Sequence, residues 1–249
     1  MANELAIDVA GISFSYADND DVTFQNLNLE VARGTRFGLF GPNGAGKTTL
    51  ISLMTGLLSA NEGHIKLLGQ EVGRRKGPVN KLFGFVPQDF SFYHELSPVE
   101  NLEFFGAWSG LDKQTIKTRT DELLTILGLN DVRDKQVQKF SGGMKRRVNL
   151  AIGVIHKPVI LFLDEPTVGV DVQTGRAIID YLIELNNNGT TLVYTSHQLN
   201  EAEGLCEQVA LIDGGKIIAQ DELSKLLKTH KQENLEQLFL ALTGKEYRN

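Results

Sequence analysis

Residues 41–48 read GPNGAGKT, and few octapeptides constrain a fold more. Its glycines can adopt φ values barred to other residues, and they let backbone N–H groups approach an anion closely. The preceding run, TRFGLF at 35–40, is short, apolar and ends at the first of these glycines. The stretch that follows, 47–58, carries helical spacing. Strand, glycine-rich loop and helix in that order form the phosphate-binding arrangement, because the helix adds its own positive N-terminus. A glycine-rich hairpin is the bland alternative, and the flanking strand and helix speak against it. Lys47 is placed to neutralise the β- and γ-phosphates, and the Thr48 hydroxyl to ligate Mg²⁺. Gly41, Pro42, Asn43, Gly44, Ala45, Gly46, Lys47, Thr48 and Thr49 are the candidate nucleotide-binding residues.

A second motif completes the first. VILFLDE at 159–165 is an apolar run that delivers Asp164 to a strand end, where parallel sheets hold their ligands. Asp164 can enter the Mg²⁺ shell. Glu165, beside it, can orient and deprotonate a water, a role typically worth about 10²- to 10⁴-fold in rate. Alone, an Asp-Glu pair after a strand is a solvated strand end. Next to a phosphate loop it reads as a metal–base pair.

The rest of the chain builds a frame for these motifs. LAIDV, ISFSY and VTFQNLNLEV alternate, which suits antiparallel strands with one wet face, with ADNDD as a turn. From about residue 89 to 156 the spacing turns helical, as in LEFFGAW and DELLTILGL. Runs at 159–163 and 190–196 read as buried parallel strands with a helix at 176–187 between them. Residues 209–212 and 216–219 flank a DGG turn and predict a hairpin. Leu235, Leu238, Phe239 and Leu242 share one helical face, with Gly244 as its stop. The expected organisation is a core of 1–88 and 157–220, a helical segment at 89–156, and a helical tail at 221–249.

Composition excludes several classes. The chain has 249 residues, 41% of them hydrophobic and 22% charged, as in a folded globular protein. Its net charge of −6 disfavours a nucleic-acid partner. One cysteine, Cys206, allows no internal disulfide and fits a reducing compartment. The opening MANELAID does not read as a secretory signal, and no apolar run is long enough to span a bilayer. Any role at a membrane is expected to come through a partner.

Further motifs narrow the field: FVPQ ending at Gln88, SGG at 141–143, DEPT from Asp164, VGVD ending at Asp171, and His197 after an apolar strand. With these, residues 5–220 resemble the ATP-binding cassette (ABC) ATPases. The resemblance implies an α/β P-loop NTPase core of RecA-like type, with an N-terminal antiparallel β subdomain and an inserted α-helical subdomain. It implies that Tyr16 stacks on adenine, that Gln88 links Mg²⁺ and the attacking water to a membrane partner, and that Asp171 crosses a dimer seam. It also implies that His197 contacts the γ-phosphate, joining Glu165 and Gln88 as catalytic residues, with Thr48, Gln88 and Asp164 around the metal. Plainer roles stand beside these: strand-end aromatic for Tyr16, loop amide for Gln88, helix N-cap for Asp171. ATP and Mg²⁺ are the implied cofactors.

FSGGMKRR at 140–147 carries the last piece. In the family two cassettes pack head-to-tail, and this turn faces the partner's ATP. Ser141 is expected to cap the following helix, while Gly142 and Gly143 let N–H groups reach the γ-phosphate. Met144 stands where a glutamine is usual. It falls on the apolar face with Val148, Ala151, Ile152 and Ile155, so the departure is expected to cost at most one polar contact. Lys145, Arg146 and Arg147 read as a solvated basic face near the phosphate site. SGGMKRR, TVGVD and the LEQLFLALTG tail together resemble the ATPase subunits of bacterial exporters of drugs, lipids or polysaccharides. That implies a second copy of the subunit, a separate transmembrane permease chain, and a place on the cytoplasmic face of the membrane. A soluble ABC ATPase acting as an assembly or regulatory module is the alternative. The loop DFSFYHELSP at 89–98 reads equally as a groove for a partner helix or as internal packing.

Overall fold

A computed structural model describes residues 4–17, 22–73, 78–196 and 199–244. The chain opens with two long antiparallel strands, β1 (Leu5–Ser15) and β2 (Val22–Ala32). The two alternating segments LAIDV and ISFSY merge into the single strand β1. Gly11 bridges them with φ of 63°, and the pairing register shifts across it, so a bulge replaces the expected break. Most of the expected ADNDD turn lies outside the described residues.

Next come β3 (Arg36–Phe40) and α1 (Lys47–Met54), with the glycine-rich loop between them. The helix stops short of the predicted residue 58, where Gly56 takes φ of 72°. Strands β4 (Glu62–Leu67) and β5 (Gln70–Glu71) return to β1, giving a four-stranded antiparallel sheet in the order β2-β1-β4-β5. Strand β6 (Phe83–Val86) then enters the second sheet.

Three helices follow: α2 (Pro98–Trp108), α3 (Lys113–Ile126) and α4 (Gly142–Val154). Their starts are chemically marked. Ser97 and Glu100 form a capping box on α2, and Asp112 caps α3 through the N–H groups of Gln114 and Thr115. Helix α4 approaches β6 very closely. A Cβ on Gly84 would lie 2.0 Å from the Gly153 carbonyl oxygen, so only glycine fits on the strand side.

The chain then completes the central sheet. Strand β7 (Ile160–Asp164), helix α5 (Val172–Asn187), strand β8 (Thr191–Thr195), helix α6 (Leu199–Leu205) and strand β9 (Gln208–Asp213) alternate in the doubly wound manner. Helix α5 begins four residues before the predicted 176, because Asp171 caps it there. Strand β10 (Lys216–Glu222) closes the DGG hairpin against β9, and α7 (Leu223–His230) and α8 (Leu235–Thr243) finish the chain. The sheet order is β10-β9-β3-β8-β7-β6, parallel except for the β10 edge.

Two cores flank this sheet. One fills the space to the antiparallel sheet and α1, with Phe24, Phe37, Leu50 and Phe162. The other lies under α2–α8, with Phe40, Leu123, Val148 and Phe239. β7 and β8 are buried along their whole length, as continuous apolar runs between two layers must be. The tail helix buries Leu235, Leu238 and Phe239 and ends at Gly244 with φ of 67°.

Candidate nucleotide site

The central sheet brings the glycine-rich loop after β3 and Asp164 at the end of β7 to the same edge, with β8 between them. Gly46 caps α1 with φ of 105°, and a Cβ there would lie 2.7 Å from the Phe24 ring. Neither a side-chain cap nor an acid occupies the first turn of α1, which leaves its positive end for an anion. Lys47 is buried, and its Nζ donates to the carbonyl oxygens of Gly41 at 2.7 Å and Pro42 at 3.1 Å. Burial pushes its ammonium below the ordinary lysine range, opposed by the charges of Glu165 and Asp164. Phosphate oxygens are stronger acceptors than these two carbonyls. Tyr16 lies half-exposed at the end of β1, its hydroxyl 2.9 Å from Thr49 Oγ1 and its ring edge-on to Phe14.

Asp164 is almost fully buried. Its Oδ2 accepts from Thr48 Oγ1 at 2.9 Å, and its Oδ1 from Thr195 Oγ1 at 2.6 Å. Glu165 is also buried, and its backbone N–H donates to Thr195 Oγ1 at 3.2 Å. Gln88 Nε2 donates to Glu165 Oε2 at 3.2 Å. Loop, carboxylates and Gln88 therefore meet in one place. The oxygen donors of Thr48, Asp164 and Gln88 fit Mg²⁺, which takes few protein carboxylates and completes its shell with water and phosphate. No group of three or more His, Cys, Asp or Glu side chains is arranged to hold a metal by itself among the described residues. Thr195 was missed in the sequence. Its signal was a hydroxyl ending a strand whose other residues are buried.

The signature turn lies elsewhere, beside the Asp171 loop. Ser141 caps α4 by accepting from the Met144 N–H at 3.3 Å. A Cβ on Gly143 would meet Thr174 and Asp171, and one on Gly142 would lie 3.4 Å from the Gly169 carbonyl oxygen. Asp171 Oδ1 accepts from the Thr174 N–H at 2.9 Å, and the Thr174 bonds hold its carboxyl below the usual range. Met144 is half-buried against the core, and Val148, Ala151, Ile152 and Ile155 are buried. The basic face needs correction. Arg146 is only 5% exposed, and Arg147 Nη1 donates to the Leu127 carbonyl at 2.9 Å. Backbone carbonyls gather both guanidinium groups, so this is not a solvated charge run. His197 lies outside the described residues.

The aromatic loop divides. Phe92 is 7% exposed and belongs to the core, whereas Tyr93 is 46% exposed and meets Phe104 edge-on at 4.9 Å. Trp108 stacks beyond Phe104 and is 66% exposed.

Parallel sheet, glycine-rich loop and buried Asp-Glu pair define the P-loop NTPase fold. The family model described as ABC transporter matches residues 24–168, more than half of the chain. The linearmycin resistance ATP-binding protein LnrL of Bacillus subtilis (strain 168) is 40% identical over 195 residues, 78% of this chain and 63% of that protein. The chain thus spans less than two thirds of that relative. The Nod factor export ATP-binding protein I of Cupriavidus metallidurans is 39% identical over 208 residues, covering 84% of this chain and 69% of the relative. A solved structure of the ATP-binding subunit of an ABC transporter matches with a TM-score of 0.87 at 26% identity, over 96% of this chain and 99% of that one. The chain belongs to the ABC transporter family.

Proposed function

We propose that this cassette powers an exporter, hydrolysing ATP as a head-to-tail dimer beneath a separate membrane-spanning chain. The observation that carries the hydrolysis is the pair of contacts Thr48–Asp164 at 2.9 Å and Gln88–Glu165 at 3.2 Å, beside Lys47. Lys47 leaves the Gly41 and Pro42 carbonyls and donates to the β- and γ-phosphates. Thr48, Asp164 and Gln88 hold Mg²⁺, which when bound neutralises phosphate charge. Glu165 takes the proton of the attacking water, and Tyr16 stacks on adenine. Ser141, Gly142 and Gly143 complete the partner's site, with Asp171 at the seam and His197 at the γ-phosphate.

The exporter reading is supported by relatives named for drug resistance and Nod factor export. No helix among the described residues is long and apolar enough to cross a membrane. Tyr93, Phe104 and Trp108 offer the membrane-spanning chain an exposed aromatic face. The cassette would then sit on the cytoplasmic face of the membrane.

Two variants test the chemistry. Lys47→Ala is expected to lower ATP affinity by at least about 100-fold, roughly the worth of a buried charge-assisted contact. Glu165→Gln is expected to bind ATP as wild type does while turnover falls about 10²- to 10⁴-fold. Near-normal turnover by Glu165→Gln would show that another group is the base. For the exporter reading, a chain with several apolar runs of about 20 residues should co-purify in detergent. Recovery of the cassette with no such chain from its native membranes counts against it.

A further inference from the structure

Helix α4 reaches the hydrolysis site through a side chain that the signature motif does not include. Arg146 and Asn149, three residues apart on α4, are 5% and 1% exposed. Arg146 Nη1 donates to the carbonyl oxygens of Gln88 at 2.8 Å and Pro87 at 3.3 Å, and its Nη2 to that of Val168 at 3.3 Å. The guanidinium carbon lies 4.9 Å from the centroid of the Phe90 ring. Asn149 grips the same segment: its Nδ2 donates to the Pro87 carbonyl at 3.1 Å, and its Oδ1 accepts from the Ser91 N–H at 3.4 Å.

One helix face thus fixes the backbone on both sides of Gln88, whose amide donates to Glu165. Through Val168 it also fixes the chain three residues after Glu165. A planar guanidinium presents five donors in a rigid fork, which suits it to hold two segments in fixed relation. A buried cation serves poorly as plain packing. Desolvation pushes the Arg146 guanidinium below its ordinary pKa, opposed by Asp89 and Glu165, and its Nε has no partner among the described residues.

We propose that Arg146 is a positioning residue for hydrolysis: its fork holds the Gln88 and Val168 carbonyls, and so sets where Gln88 presents the Glu165 carboxylate to the phosphate site. It also ties the position of the signature turn, five residues earlier on the same helix, to that presentation. The proposal rests on Glu165 as the base.

The test is a double-mutant cycle on the full chain, with kcat, KM, nucleotide affinity and thermal midpoint measured for each variant. Wild-type and Glu165→Gln turnover come first and judge the base assignment independently. Arg146→Met is expected to lower kcat on the order of 100-fold, as a displacement of about 1 Å can, with nucleotide Kd within about twofold. Arg146→Lys should fall between. In a Gln88→Ala background, Arg146→Met should cost less than about threefold more, because the group it positions is gone. Wild-type kcat in a folded Arg146→Met protein overturns the proposal, and so do losses that multiply in the double variant. Should Arg146→Met fail to fold, Arg146→Lys decides: a lowered kcat with Kd kept supports the proposal, and a wild-type kcat sinks it.

Discussion

Glu165 holds φ at 51°, a left-handed conformation that β-carbon crowding disfavours outside glycine. Its N–H on Thr195 Oγ1 keeps it there, next to an Asp164 pinned by the same hydroxyl. The strain lies at the proposed base, where the surrounding bonds over-determine the geometry. Two variants that both lack the carboxylate expose it. Glu165→Gly is expected to be about 1–2 kcal/mol more stable than Glu165→Ala in denaturant unfolding. Equal stability, or a more stable alanine variant, would mean that the backbone there is relaxed.

Among the elements, the loop after β6 divides between core and surface. Phe92→Ala is expected to destabilise the protein by about 3–5 kcal/mol, the range for a buried phenylalanine. Tyr93→Ala should stay within about 0.5 kcal/mol in the same urea titration, as surface changes do. A large loss for Tyr93→Ala would mean that its ring is part of the packing. The elements differ in how openly the sequence announced them. GPNGAGKT, VILFLDE, the DGG hairpin and the apolar face of α8 are local patterns, with every residue they need inside one window. The single strand β1 was hidden because Gly11 punctuates it as a break would, while its pairing with β2 carries it on. The early start of α5 depends on Asp171 acting as a cap rather than only as loop. Arg146 was illegible for a different reason. Its acceptors lie 59, 58 and 22 residues away in the chain and are backbone carbonyls, which leave no trace in residue identity.

For the whole molecule, the placement of two half-sites matters most. The P-loop packs beside Asp164 and Ile212, whereas the signature turn packs beside Gly169 and Asp171. In the proposed head-to-tail dimer, a single chain presents each half to a second copy. With ATP, Glu165→Gln is therefore expected to run at twice the monomer mass in light scattering. Adding Ser141→Arg should return it to monomer while ATP binding stays within about threefold, since the bulk sits at the seam and not at the chain's own P-loop. Dimer formation unaffected by Ser141→Arg would place the interface elsewhere. Met144→Gln should leave the dimer intact.

The glycine contact between β6 and α4 bears on how such a dimer could be driven. With no side chain between Gly84 and the Gly153 carbonyl, the C-terminal end of α4 is pinned to the sheet as a pivot. Ser141 stands 12 residues away at the other end, about 18 Å along the axis at 1.5 Å per residue. A 10° tilt about that pivot carries the Ser141 hydroxyl about 3 Å, the span of one hydrogen bond, whereas Arg146, closer to the fulcrum, moves about 2 Å. In the proposed dimer, a tilt of that size would be the difference between a closed and an open seam.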